Sequence, residues 1–351
     1  MKKKLLIALS LALTLSLGLS GCGGSGGSGG SDDGEKTYNL RLSCEYAVDN
    51  HQTVALQDAA DTIKEKTGGK VNITVYPSCQ LGDYTVVYGQ VMTGDIDIAA
   101  LPISPSYDER ASVVSLPYLA KDFAEFKEDY FPGSYLWDLL SDINEKNDCT
   151  LLGIFNAGFM GIGSASLPSE DFDYLTDGTV SKPTLLRIPA NNVFATLIPA
   201  MGYRTTSISY ADLYPALQSG VADGWIGGSG LVNWESFRDV IKYFIDCRAV
   251  NECIPVVMNK ALLEGMPEDY QTVITDTFLA MAERVADERQ QQEEQALIDL
   301  GNYGVTVIKP TDEQLEALSM RIRSEVWGQC RELVGDEIID DLCETYGVTL
   351  E

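Results

Sequence analysis

Residues 185–224 read LLRIPANNVFATLIPAMGYRTTSISYADLYPALQSGVADG, and this stretch decides the fold. A single arginine, Arg187, closes a short apolar run between Leu186 and Ile188, and Pro189 follows at once. The segment then reads as helix, short strand and helix, ending in Gly220-Val-Ala-Asp-Gly224. Strands are predicted at Leu185–Ile188, Thr205–Ile208 and Ala222–Ile226. A guanidinium at a strand end presents a planar fork of donors matched to one carboxylate. Arg187 is therefore the first candidate binding residue.

Working towards the N-terminus, Tyr38–Cys44 alternates as a strand, and residues 52–66 carry apolar side chains at helical period (Val54, Leu56, Ala59, Ala60, Ile63). Residues 71–76 form a β-branched run ended by Pro77, residues 84–92 a helix stopped by Gly94, and residues 96–101 a third, fully apolar strand. This βαβαβ order predicts a parallel sheet covered by helices. Residues 149–155 read as a strand entering Asn156-Ala-Gly-Phe-Met160, a crossover to a second lobe. Residues 237–246 and 256–259 bring the chain back. Residues 169–182 read as a polar surface insertion. Pro267 starts a helix expected to reach about Ile298, roughly thirty residues and ~45 Å. Its run Glu288–Glu294 is polar on all sides, which predicts solvent exposure between lobes.

These motifs resemble the solute-binding proteins of TRAP transporters, the dicarboxylate-receptor family. That family shows a pattern like K-x-R-x-P, then a strand, then E-x-Y-x-A-L-Q-x-G-x-x-D-G. The matching positions here are Arg187, Pro189, Asp212 (in place of Glu), Tyr214, Ala216, Leu217, Gln218, Gly220, Asp223 and Gly224. Gly69–Asp83 and Thr93–Ala99 match its earlier block, and Ser115–Leu119 its L-P-[FY]-L piece. The resemblance runs from about Tyr38 to Glu325. It implies an α/β, two-lobed, type II-like periplasmic-binding-protein fold with a hinge and a long interlobe helix. The expected division is 38–157 plus 253–291 for lobe I and 158–252 plus 292–351 for lobe II.

The family's arginine at the position of Arg187 makes a two-pronged salt bridge to the ligand carboxylate. Tyr210 matches a position that is often an aromatic ligand contact. Two departures follow. A second arginine of the common family type, expected after Gly158-Phe159, is replaced by Met160, and a family asparagine is replaced by Gly227. Trp225 is either an apolar wall for the ligand or core. Glu45, after the first strand, meets either an ammonium group or solvent. Asp83 matches a ligand-facing loop of the family but is also a helix N-cap, its main expected role; Tyr118 either closes the cleft from the first lobe or is core. The loss of two polar contacts points away from a plain dicarboxylate and towards a monocarboxylate with an apolar or aromatic body, or with amino-acid character.

The N-terminus assigns the compartment. Lys2–Lys4 precede the apolar run Leu5–Leu19, which is followed by Leu19-Ser-Gly-Cys22, a lipobox. Residues 1–21 are expected to be a signal peptide, Cys22 to be lipidated, and residues 22–37 to be a Gly/Ser tether. The protein is thus expected to be exported and lipid-anchored, either to the outer face of the cell membrane or to a periplasm-facing membrane. Signal removal takes three of 25 basic side chains, leaving 22 against 52 acidic ones, a net charge of −30. Such a charge disfavours nucleic acid as a partner. Of eight cysteines, Cys22 goes to lipid. Cys247 with Cys253, Cys44 with Cys79 and Cys330 with Cys343 are candidate pairs, against the alternative of buried thiols.

One histidine, His51, and the lack of a G-x-S-x-G or H-E-x-x-H motif give little basis for catalysis. No cofactor or metal is implied. The reading is a monomeric receptor that takes a small organic acid and delivers it to TRAP-type integral membrane permease subunits. The alternatives are a sensor domain serving a signalling receptor, a dicarboxylate receptor of the usual type, or an exported enzyme.

Overall fold

In the computed structural model two unusually long strands, β4 (Cys149–Ser164) and β8 (Tyr243–Asn259), lie antiparallel along most of their length and belong to both halves of the molecule. Residues 36–210 and 212–351 are described. The signal, lipobox and tether readings therefore lie outside the described residues, apart from Lys36 and Thr37. The chain divides into the units Met1–Lys36 and Thr37–Glu351, and the fold is that of the second.

On one side of the β4–β8 pair stand β1 (Tyr38–Cys44), β2 (Val71–Tyr76) and β3 (Ile98–Ala100), mutually parallel in the order β2-β1-β3, with β3 antiparallel to β8. On the other side stand β5 (Leu185–Ile188), β6 (Arg204–Ser207) and β7 (Gly224–Gly228) in the order β7-β5-β6, with β7 antiparallel to β4. A ninth strand, β9 (Thr306–Ile308), runs parallel to the first residues of β8. The expected α/β two-lobed architecture holds. The returning chain is one continuous strand rather than two segments.

The local reasons are those read from sequence. In β1, Tyr38, Leu40 and Leu42 are buried while Asn39 and Arg41 face out, the period-2 pattern of a strand. The helix His51–Lys66 is capped by Asn50 and buries Ala55, Leu56, Ala59 and Ile63 on β1 and β2. The helix Tyr84–Thr93 is capped by Asp83 and ends at left-handed Gly94. The long helix, Glu268–Tyr303, has 36 residues, roughly 54 Å of axis. Pro267 is its N-cap and left-handed Gly304 ends it, one turn beyond the expected end. It packs Tyr270, Ile274 and Phe278 into the first lobe's core, and Leu297 and Leu300 into a cluster with Trp225 and Phe237 of the second. It is thus the strut between lobes.

Several expectations are corrected. The run Glu288–Glu294 is not solvent-facing all round, because Arg289 and Glu293 are buried. They occupy the inward stripe set by Ala282, Val285 and Ala286. Residues 169–182 are not a mere surface insertion. They hold a short helix, Phe172–Thr176, bury Phe172 and Leu175, and end at fully buried Lys182. All seven described cysteines are free thiols. Cys247 and Cys253 lie on one strand, β8, so they cannot bridge neighbouring strands. Cys44 and Cys79 do sit on adjacent segments, with the Cys79 amide donating to the Cys44 carbonyl at 3.1 Å. Their side chains go elsewhere, Cys44 to Thr53 and Cys79 towards the Glu45 carbonyl.

Candidate functional site

Arg187 leaves β5 beside β6 and β7, where Thr206 and Trp225 are its register partners. It is only 4% exposed. Its Nε donates to the Ile208 carbonyl at 2.8 Å, which fixes the plane of the guanidinium. Its two Nη groups have no hydrogen-bond or ion-pair partner among the described residues. Burial pulls the guanidinium down from its ordinary value, with Tyr210 opposing. An arginine titrates too high for that to remove its charge. The site therefore offers a fixed, unsatisfied cation whose free edge matches a carboxylate.

Gly227 and Tyr210 complete this edge. Gly227 has φ +140°, and a Cβ there would stand 3.4 Å from Arg187 Nη1 and 3.3 Å from the Trp225 ring. The absent side chain leaves room over the guanidinium. Tyr210 is 57% exposed, and its ring lies 6.3 Å from Trp225 and 6.2 Å from Phe237. Trp225 itself is fully buried and donates its indole N–H to Asn233 Oδ1 at 3.1 Å. It backs Tyr210 and Gly227 as core, and the wall reading is corrected accordingly.

Tyr118 is also core. It is fully buried, donates its hydroxyl to the Cys247 carbonyl at 2.8 Å and accepts from Arg323 Nε at its own carbonyl. It does not close the cleft. Asp83 caps its helix through the Thr85 amide and hydroxyl at 3.0 and 2.6 Å, which holds its carboxyl below the ordinary range. Phe159 is buried edge-on to Phe123 at 5.0 Å. It lines a pocket of about 440 Å³ with Phe123, Lys127, Asp246, Arg248 and Leu297; Arg187 is not among the lining residues. Met160, half-buried on β4, packs against the main core.

Glu45 is half-buried. Burial, and then Asp83, pushes its carboxyl up to about 7. Sequence reasoning missed its neighbour Glu252 on β8, whose carboxyl is pushed up to about 8 by burial and then by Glu45, with Arg289 opposing. The Tyr210 hydroxyl is raised by burial and then by Glu252, and lowered by Arg187. Tyr210 thus feels both the Arg187 and the Glu252 charge, and Glu252 in turn feels Glu45. No group of three or more His, Cys, Asp or Glu among the described residues is placed to hold a metal ion.

Known proteins share this frame. The chain is 22% identical over 275 residues to the sialic acid-binding periplasmic protein SiaP of Vibrio cholerae, covering 77% of this chain and 83% of that protein. It is 24% identical over 279 residues to the C4-dicarboxylate-binding periplasmic protein DctP of Rhodobacter capsulatus, covering 78% and 80%. Its fold matches a TRAP periplasmic solute-binding protein of Desulfovibrio salexigens with bound orotic acid, at TM-score 0.72 and 21% identity, over 89% of this chain and 98% of that one. Residues 43–331 match the family described as bacterial extracellular solute-binding protein, family 7 (DctP); the chain belongs to this family of transport receptors, which are not enzymes.

Proposed function

We propose that the protein captures a small organic carboxylate between its lobes and delivers it to TRAP-type integral membrane permease subunits. The observation that carries this reading is Arg187, buried, oriented by Ile208 and left with both Nη groups unpaired. The guanidinium is largely desolvated and its free Nη edge lacks a protein partner, which a ligand carboxylate supplies. The related proteins named for sialic acid and C4-dicarboxylates, and the one holding orotic acid, all take small acids, which supports the class. Met160 and Gly227 leave a single arginine at this edge and open space over it. The ligand is then a monocarboxylate with an apolar, aromatic or amino-acid body.

The lobes divide at 157/158 and 252/253, with 38–157 plus 253–291 in one and 158–252 plus 292–351 in the other. Gly158, at φ +112°, supplies the permissive backbone at the crossover. Closure about this hinge traps the ligand to the extent that it prefers the closed form. The protein works as a monomer on the outer face of the cell membrane, tethered through lipid on Cys22. Calorimetry of organic acids against the mature chain tests the binding claim: Arg187→Ala should abolish carboxylate binding, and unchanged affinity would sink it. Best binding by dicarboxylates would overturn the monocarboxylate reading.

A further inference from the structure

The inward face of the long helix carries an anomaly. Arg289 is 4% and Glu293 9% exposed, one helical turn apart on the same face. Arg289 has no hydrogen-bond or ion-pair partner among the described residues, and its Nε is sealed from water without one. Glu293 Oε2 accepts from the Leu231 amide at 3.0 Å, while Oε1 makes no well-formed hydrogen bond and has the Ser229 hydroxyl as its polar neighbour. The Tyr46 hydroxyl is likewise buried without a well-formed hydrogen bond, with the Glu252 carboxyl as its polar neighbour. Buried polar groups are nearly always satisfied, so several orphans in one place call for a missing partner.

Glu252 is the register partner of Gly158 on β4, where a Cβ would stand 2.7 Å from Glu293 Oε1, and it feels Glu45, Arg289 and Glu293. From the loop after β1 come Glu45 and Tyr46, from the long helix Arg289 and Glu293, and from the far side Tyr210. Around Glu45 stand Asp83, Cys79, Tyr84 and Cys44. Glu252 and Glu293 thus share one guanidinium, that of Arg289, and Glu45 adds a third carboxyl beside Glu252, in a chain that is already strongly acidic. A second ligand carboxylate placed here would meet like charge as soon as one of these acids ionises. A cation would meet acceptors.

We propose that Glu252 and Glu45, with the Tyr46 hydroxyl, form an ammonium-accepting pole opposite Arg187, so that the ligand is a zwitterion bearing both a carboxylate and an N–H ammonium group. The inference rests on the reading of Arg187 as the carboxylate pole. Carboxylates accept directed hydrogen bonds, so the cation is one with N–H donors rather than a quaternary ammonium. Arg289 is a positioning residue: its charge favours the ionised form of Glu252 without touching the ligand. Burial pushes Glu252 up to about 8 and Glu45 up to about 7, so that near neutral pH Glu252 is mostly and Glu45 about half protonated. An arriving ammonium replaces those protons. Binding therefore releases protons at pH 7 and weakens as pH falls from 8 to 6, by up to roughly tenfold per unit for each proton displaced.

The test is calorimetry on the mature chain with α-, β- and γ-amino acids, each matched to its deaminated and 2-hydroxy counterparts. The amine member of a pair should bind at least tenfold tighter, with heats that depend on buffer ionisation enthalpy in the sense of proton release. Glu252→Gln and, separately, Glu45→Gln should bring amine and deaminated members towards parity and abolish the buffer-dependent proton release. Equal binding within pairs, preference for the deaminated or hydroxy member, or no effect of either Gln variant would overturn the zwitterion while leaving the carboxylate pole intact. Insensitivity of every pair member to Arg187→Ala, or no binding across the whole panel, would instead take down both.

Discussion

Gly227 and Arg187 meet edge to edge: the position a Cβ would take on the glycine lies 3.4 Å from Arg187 Nη1. The glycine is required twice over, because φ +140° is closed to L side chains and because any side chain would enter the space in front of the fork. Gly227→Ala is expected to destabilise the fold by roughly 1–3 kcal/mol through backbone strain and to weaken carboxylate binding by crowding Nη1. Urea unfolding and calorimetry measure the two effects separately. Wild-type values in both would mean that the open space has no role.

Arg187→Lys keeps the charge but loses the fork and the Nε bond to Ile208. A hydrogen bond to a charged group is worth about 1.5–3 kcal/mol, so dissociation constants should rise on the order of 10- to 100-fold. Arg187→Met should remove binding altogether, yet leave the ligand-free protein as stable as wild type or more so, since an unpaired buried charge disappears. A ligand-free Met variant clearly less stable than wild type would show that the guanidinium is a structural group.

Most of the frame is legible in the sequence. The strands β1 and β2, the caps Asn50 and Asp83 and the long helix follow from period and capping chemistry. Arg187 and Tyr210 follow from the resemblance. What escaped has physical reasons. Trp225 and Tyr118 are large aromatics whose depth depends on what packs over them, which a linear pattern does not carry. Glu252 gave no local signal, because its importance arises from chain segments far away. Arg289 and Glu293 did give one. The buried stripe Phe278, Ala282, Val285, Ala286 continues at helical spacing through Arg289 and Glu293 to Ala296, Leu297 and Leu300. Two charges in an apolar stripe mark a buried polar site, whereas the polar composition of the surrounding run suggested only exposure.

The same acids set a pH dependence of stability. In the folded chain Glu252 and Glu45 are pushed up to about 8 and about 7 from 4.5, by burial first. Between pH 4.5 and those values the folded state keeps protons that the unfolded chain has released. Stability therefore falls as pH rises through this window and levels off above about pH 8. The double variant Glu45→Gln/Glu252→Gln cannot ionise there. Its loss between pH 5 and pH 8 should be smaller than wild type's by on the order of 3 kcal/mol. Some slope should remain from Glu293 and Asp129, raised to about 7 and about 6. Parallel wild-type and variant curves from urea unfolding across that range would contradict the burial of these acids.

Lys182 supports the second lobe from inside. It is fully buried, and its Nζ donates to the carbonyls of Val180 and Met201 at 3.0 Å each and to that of Asp177. The rings of Tyr174 and Tyr203 lie 5.5 and 5.4 Å away. Burial lowers the ammonium below its ordinary value, and the carbonyls with the two π faces supply the compensation. Lys182→Met would strand three acceptors. At about 1–3 kcal/mol for each unsatisfied group, offset by the relief of a desolvated charge, the net loss should be roughly 2–4 kcal/mol. Lys182→Arg should not rescue it, since Gly202 leaves little room: its Cβ position is 2.8 Å from Nζ. Denaturant midpoints for both variants give the answer. If Lys182→Met unfolds at the wild-type midpoint, the ammonium does not hold this turn together, and the segment 169–182 is the dispensable insertion its composition suggested.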